Sequence, residues 1–346
     1  MSSNEAETIL SNFQTMIMSK LDFFFICAAL FFNSLTAPMV KFTQNKDGGY
    51  SYNKSCIYLF AELLKFAVAC AWCVYTYYTN KSVAKNLHFT RRDFWQYSIP
   101  AFVFFAQNNL SFPALQLMSN SAFILLLNTR ILGVALLSVI FLKKRLNLCE
   151  WASMILLTNG SMAYQLSSCE SGRFMISAEG MMIMGIIILC AAGGNVVTQL
   201  FMQKSMEQPL MLQNALLYFW GSIMNGINWL MSLNFSSDEG HNTELLGEFH
   251  AVQAMSVVFF AVYGLSISII LKRFGAITRT VIQTVAVIVT ALIDLMLFKE
   301  EITMRQVTSF VTIVVAVFMS SILAKDYHQQ KGTKTEEHNG KKNEEK

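Results

Sequence analysis

Charge is scarce in this chain. Only 14% of its residues are Asp, Glu, Lys or Arg, and proline is limited to 4 of 346 positions. The net charge of +4 is spread over short connections and a tail, so no basic face exists for nucleic acid to grip. A basic n-region and a small-residue cleavage pattern are both missing ahead of the first apolar run, and no cleaved signal peptide is expected. Metal-ligand spacing is absent too: Cys70-Ala71-Trp72-Cys73 spells CxxC, but inside an apolar run with no second pair or His nearby. Paired carboxylates and a nucleophile–base set are not found within one membrane depth. That excludes a membrane-embedded enzyme, and no cofactor or metal is expected. Cys56 and Cys169 both fall near predicted lumenal helix ends, and a disulfide between them is left open by sequence.

What the chain has is apolar length. Of its residues 54% are apolar, with 28 Phe and 20 Met. Runs of about twenty such residues recur, each long enough to cross a hydrocarbon core of roughly 30 Å. A β-barrel would instead show alternating segments of about ten residues. The expected fold is therefore an all-α integral membrane protein in a lipid bilayer. Ten transmembrane helices are placed at 21–41, 55–78, 96–116, 121–142, 149–167, 179–203, 211–232, 251–272, 276–298 and 304–324. One set of loops holds Lys81, Lys85, Arg91, Arg92, Lys143, Lys144, Arg145, Lys204, Lys272, Arg273 and Arg279. The other set holds Lys41, Lys46, Lys54, Arg173, Lys299 and Arg305, and its longest member, Asn234 to His250, has no Lys or Arg. The richer side is predicted cytoplasmic. An even number of spans then puts both termini there: a segment 1–20 and a charged tail, 326–346, that reads as disordered.

An internal repeat divides the ten-helix region, 21–325. FLKKRLNLCEWASMILL (141–157) lies on LFKEEITMRQVTSFVTI (297–313): a charged cluster, a short polar turn, then an apolar helix. Halves of five spans, about 21–167 and 179–324, would have opposite orientation, because five is odd. Such inverted repeats place a substrate site between halves near the midplane.

A few residues resist this apolar background. Glu62, Lys65 and Arg130 lie deep in spans, where a charge costs roughly 2.5–3.5 kcal/mol on insertion scales. Glu62 and Lys65 are three apart and can pair on one helix face, or serve as a gate. Arg130 shares its face with Phe123, Leu127 and Val134, which cannot neutralise it. Its partner is either a carboxylate from another helix, Glu62 being a candidate, or an anionic ligand; guanidinium suits phosphate oxygens. Gln107-Asn108-Asn109 interrupts the third span. Asn214, Tyr218, Gly221 and Asn225 form one polar stripe on the seventh, read either as interhelical bonding or as cavity lining. Ser268 and Lys272 share a face at the end of the eighth span, where Lys272 either snorkels or meets a ligand. Of the N-x-Ser sequons at Asn53, Asn80, Asn109, Asn159 and Asn234, topology leaves Asn53 and Asn234 as glycosylation candidates.

These stretches together are similar to a known family. QNNLSFPALQLMSNSAFILLLNTRILGVAL, then a basic cluster and LNLCEW, resembles the Golgi nucleotide-sugar transporters of the CMP-sialic acid, UDP-galactose and UDP-N-acetylglucosamine branch. AELLK (61–65), LQNALLYFWGSIMN (212–225) and YGLSISIILKRFGAITR (263–279) extend the likeness over roughly residues 20–325. The resemblance implies the drug/metabolite transporter fold, ten helices in two inverted five-helix repeats. It also implies exchange of a cytosolic nucleotide sugar for a lumenal nucleoside monophosphate across the Golgi membrane, the endoplasmic reticulum being the alternative site. Arg130 falls where the family has a phosphate-contacting lysine, and Asn108 in the middle of its QNN motif beside Gln107. Asn214 and Tyr218 match positions that contact base and ribose, and Lys272 the basic residue ending the eighth helix. Substrate-binding roles are thus expected for Arg130, Lys272, Asn108, Asn214, Tyr218 and Gln107, and gating or coupling for Glu62 and Lys65.

Two departures stand out. A YQVTYQLK-like run is FILLLNTR here, so Phe123 and Leu127 replace aromatic hydroxyls, and a KYADN-like motif has become Lys272-Arg273-Phe274-Gly275-Ala276. Trp220 also stands where a small residue is common. These changes support the alternative of a transport-silent relative that scaffolds glycosyltransferases, and they leave the sugar and base unassigned. A homo-oligomer is a further open partnership.

Overall fold

The computed structural model describes residues 20–42, 52–118, 120–167, 177–235, 249–298 and 303–320. Residues 1–19, the tail from 321 on and Cys169 with its suggested disulfide lie outside that set. The described residues are built from helices, without strands. Helix α1 spans 20–34 and is followed by α2, Thr36–Phe42, after a turn at Leu35. Next come α3 (Lys54–Thr79), α4 (Lys81–Ala84), α5 (Arg91–Gln96), α6 (Ser98–Leu117), α7 (Asn120–Leu127) and α8 (Arg130–Leu142). The remainder are α9 (Leu148–Ser167), α10 (Ala178–Lys204), α11 (Leu210–Phe235), α12 (Ala251–Arg273), α13 (Ala276–Phe298) and α14 (Met304–Phe318).

Five helical segments are long and apolar enough to cross a membrane by length and composition: Ser55–Thr79, Ala122–Leu142, Ala178–Lys204, Ala251–Arg273 and Ala276–Leu297, with Met304–Phe318 a shorter apolar helix. Helices α6, α9 and α11 cover predicted spans but are diluted by amides. Gln107, Asn108 and Asn109 interrupt α6; Asn159 and Gln165 lie on α9; Gln213, Asn214, Asn225 and Asn228 lie on α11. Two helices expected to be continuous are not regular. The predicted span 121–142 tightens at Asn128–Thr129, where the amides of Thr129, Ile131 and Leu132 bond carbonyls three residues back. In α6, Pro113 cannot donate to the carbonyl of Asn109, which loosens the helix just after the amide triplet.

Side-chain caps set many helix starts. Asn53 Oδ1 accepts from the Ser55 amide at 3.0 Å to open α3, and Thr90 and Asp93 form a reciprocal capping box at α5. In the register that lays 141–157 on 297–313, the starts of α9 and α14 coincide. Asn147 and Glu150 bond each other's backbone amides at 2.7 and 2.8 Å, and Thr303 and Gln306 do so at 2.8 and 3.3 Å. Behind each box a buried serine bonds back to its own helix, Ser153 to Glu150 O and Ser309 to Arg305 O. One turn on, Leu157 and Ile313 are both fully buried. The two helices pack together, with Gly160 leaving room for Ile313.

The chain forms two compact units. One comprises 1–105 and 197–299, the other 106–196 and 300–346. In the first, α3 packs on α11 and α12 over a cluster of Tyr52, Ile57, Ala61 and Val257. In the second, Ala114, Met118, Ala122, Phe123, Met184 and Ile187 make a dry core from α6, α7 and α10.

Candidate functional site

The first unit gathers most of the predicted polar residues. Glu62 and Lys65 are one turn apart on α3, and Lys65 Nζ donates to Glu62 Oε1 at 2.6 Å. The local pairing expected from their spacing is formed. The Lys65 ammonium also stands 4.4 Å from the centre of the Tyr218 ring, a cation–π distance. Tyr218 OH in turn donates to the carbonyl of Gly264 (3.2 Å) and shares a 2.8 Å bond with Ser268 Oγ. The pair fits because two helices present glycine to it. A Cβ on Gly221 would stand 2.9 Å from Glu62 Oε2, and one on Gly264 would stand 2.8 Å from Lys65 Cδ. Residues of α3, α11 and α12 thus form a single polar cluster.

One turn before Tyr218, Asn214 is fully buried, and both ends of its carboxamide lack a hydrogen-bond partner among the described residues. Leaving such a group unsatisfied costs about 1–3 kcal/mol. The rest of the stripe behaves differently: Asn225 bonds back to Gly221 O at 2.8 Å on its own helix.

Lys272, at the end of α12, does not snorkel freely. It is 9% exposed, and its ammonium donates to the backbone carbonyl of Gln208 at 2.6 Å. A chain of amides steadies this end. Gln203 donates to the Lys272 carbonyl (3.1 Å), Gln199 donates to Gln203 (2.8 Å), and Ala276 N donates to Gln199 Oε1 (2.7 Å). Gly275 makes that possible, having a φ of +91° and a carboxamide of Gln199 where a Cβ would sit. The Gln208 side chain reaches His88 O at 3.1 Å and Asp93 Oδ2 at 3.4 Å. Burial raises the Asp93 pKa, but bonds from Thr90 and Gln208 and the charge of Arg92 outweigh it and hold the carboxyl below its ordinary value.

The other candidates lie in the second unit. Arg130 opens α8 directly after the tight turn at Asn128–Thr129 and is half-buried. Gln107 is half-buried and Asn108 exposed on α6. Phe123, where the family has a tyrosine, is 8% exposed within the dry core, and Leu127 packs against it. Asn53 is buried at 9% exposure with its carboxamide oxygen used as the α3 cap. The Asn234 side chain lies outside the described residues. Trp220 is a packing anchor of the first unit, where its Nε1 donates to Phe94 O at 2.8 Å and its ring centre lies 5.0 Å from that of Trp95 at a tilt of 39°. Residue-by-residue reading missed Gln199, Gln203 and Gln208. It also placed Arg279 among the loop charges, whereas this residue sits in the first turn of α13 with a buried guanidinium nitrogen.

Comparison with known proteins adds the following. The nucleotide-sugar transporter family profile matches residues 17–321. A probable UDP-sugar transporter of Xenopus tropicalis is 24% identical over 82% of this chain and 86% of its own length. CMP-sialic acid transporter 2 of Oryza sativa subsp. indica is 21% identical over 81% and 78%. The UDP-galactose transporter senju of Drosophila melanogaster is 22% identical over 89% and 88%. A solved crystal structure shares the fold with a TM-score of 0.62 at 14% identity, covering 88% of this chain and 97% of the other.

Proposed function

The chain belongs to the nucleotide-sugar transporter family, and from that premise we propose that it is a Golgi antiporter, exchanging a cytosolic UDP- or CMP-sugar for a lumenal nucleoside monophosphate. It is a multi-pass membrane protein, and its relatives are transporters rather than enzymes. In this reading ten helices cross the bilayer as two inverted five-helix repeats with both termini cytoplasmic. The matching caps and buried faces of α9 and α14 support the repeat. Alternating access exposes one site to each side in turn. No bond is made or broken; the ligand needs only to favour the switch more than the empty carrier does.

The observation that carries this reading is Asn214. A buried carboxamide without a partner, one turn from a tyrosine ring that already faces an ammonium, is suited to the edge of a nucleobase. Asn214 and Tyr218 then hold the nucleoside and Lys272 a phosphate, while Glu62 and Lys65 gate the site.

Exchange in proteoliposomes tests the proposal, with UDP-, CMP-, GDP- and ADP-sugars set against their monophosphates. Uptake of a pyrimidine nucleotide sugar driven by its own monophosphate is expected. Asn214→Ala should weaken nucleotide-dependent thermal stabilisation about tenfold in apparent affinity, equivalent to ~1.4 kcal/mol. If no nucleotide sugar is exchanged and no nucleotide raises the Tm, the antiporter reading falls. The scaffold reading then stands, favoured by the burial of Phe123 in a dry core.

A further inference from the structure

The basic cluster between α8 and α9, in the second unit, has no part in the site just described. Helix α8 ends at Leu142, and Lys143 closes it in the left-handed region with a φ of +52°, the lone non-glycine residue of positive φ among the described residues. The amides of Lys143 and Lys144 both donate to the carbonyl of Ser138 there. Glycine is the residue that takes this conformation without strain, so a lysine here costs backbone stability and places a charge. Lys144 and Arg145 follow at once, giving three cations in a row. Lys143 and Arg145 are exposed and Lys144 is half-buried. Among the described ion pairs, none takes any of the three. Burial lowers the Lys144 pKa more than the charge of Glu150 raises it, so this ammonium is short of negative charge. Apolar side chains flank the cations on both sides. Ile140 and Phe141 are exposed on the last turn of α8, and Leu148, which opens α9, is 87% exposed.

We propose that Lys143, Lys144 and Arg145 bind the headgroup of an anionic phospholipid, with Phe141 and Leu148 against its acyl chains. Position decides between a lipid and a soluble anion. The segment Ala122–Leu142 is long and apolar enough to cross a membrane, so the residues directly after it stand at headgroup depth. An exposed leucine and phenylalanine gain nothing from a soluble anion, whereas beside a lipid their apolar surface leaves water. Charge decides which lipid. Basic residues at a membrane surface are drawn to anionic headgroups, and a choline headgroup carries a cation of its own. The two bonds to Ser138 fix the backbone from which the cations project, so the cluster is a built feature and not part of a loose tail. The site is independent of nucleotide exchange.

The test uses the full-length protein purified in neutral detergent. Its Tm is followed as phosphatidylcholine is added alone, or mixed with phosphatidylserine or phosphatidylinositol phosphate. A saturable rise of a few degrees is expected with the anionic lipids and none with phosphatidylcholine alone. Arg145→Gln, a change at an exposed position, should weaken the apparent lipid affinity about fivefold. Lys143→Gly should do the same, while its Tm without lipid stays level or rises because glycine relieves the left-handed closure. Lys81→Gln, which removes an exposed cation of α4 in the other unit, should leave the response unchanged. Equal responses to neutral and anionic lipid overturn the proposal, as does an undiminished response in Arg145→Gln and Lys143→Gly. An equal loss in Lys81→Gln would mean diffuse charge attraction and overturns it as well. So does inositol phosphate without acyl chains protecting as well as the lipid, since the ligand would then be a soluble anion.

Discussion

Two lysines of the first unit meet opposite kinds of partner. Lys65 has a carboxylate at 2.6 Å and an aromatic face at 4.4 Å. Its charge is balanced within one helix turn. Lys272 has a backbone carbonyl at 2.6 Å, a dipole that orients the ammonium without neutralising it. The difference teaches where each charge can be spent. Lys65 and Glu62 form a closed pair, so a ligand gains little there unless the pair opens. Lys272 is held in place with its charge still available. Under the proposed function, Lys272 is therefore the better placed of the two to meet an anionic ligand.

The largest effect is expected on removing the balance at Lys65. Glu62→Gln leaves a buried ammonium facing a neutral amide and should destabilise the purified protein by about 3 kcal/mol, the low end for a broken buried pair, because the Glu62 side chain is 22% exposed. Replacing both residues with Met should cost clearly less than the single change. A double mutant no more stable than the single one in thermal melts would mean that the pair is not closed.

Next in size is the scaffold of Lys272. Gly275→Ala forces a φ of +91° on an L-residue and drives its methyl into the Gln199 carboxamide. A loss of about 2 kcal/mol is expected, from the left-handed strain together with the broken amide chain. Nucleotide-dependent stabilisation should fall with it, whereas a Gly275→Ala protein with unaltered ligand response would separate Lys272 from the site.

The smallest effect concerns pH. The lowered Asp93 carboxyl contributes stability that is complete above its unfolded pKa of about 4 and lost as pH falls through its lower folded value. Thr90→Ala removes part of that lowering. It should lower the Tm in the neutral range and flatten the acid limb below about pH 4, so that the variant and wild-type profiles converge as pH falls. An identical acid limb would show that the cap does not hold Asp93 down.

Some of the fold and site is readable from residues alone. Glu62 and Lys65 are three apart on an apolar helix, and helical geometry leaves them little choice but to meet. The pattern of charge cluster, turn and apolar run at 141–157 and 297–313 is legible, and its register falls on matching caps at Asn147 and Thr303. Other features carry no sequence signal. The partner of Lys272 is a backbone carbonyl, which any residue at position 208 would supply. The tight turn at Asn128–Thr129 lies in a run whose hydropathy is that of an unbroken helix. Arg279 sits beside Lys272 and Arg273 in sequence, so it reads as one more loop charge. Only the depth of α13 against α1 and α12 separates it from them.

Trp220 has an optical consequence. It is two residues after Tyr218 on α11, is pinned to Phe94 by its indole N–H, and packs at a tilt against Trp95 of the short helix α5. The emission of this indole pair depends on how α11 sits against α5. The protein therefore carries its own fluorescent reporter, and movement of the helix bearing Asn214 and Tyr218 is readable without attaching a dye.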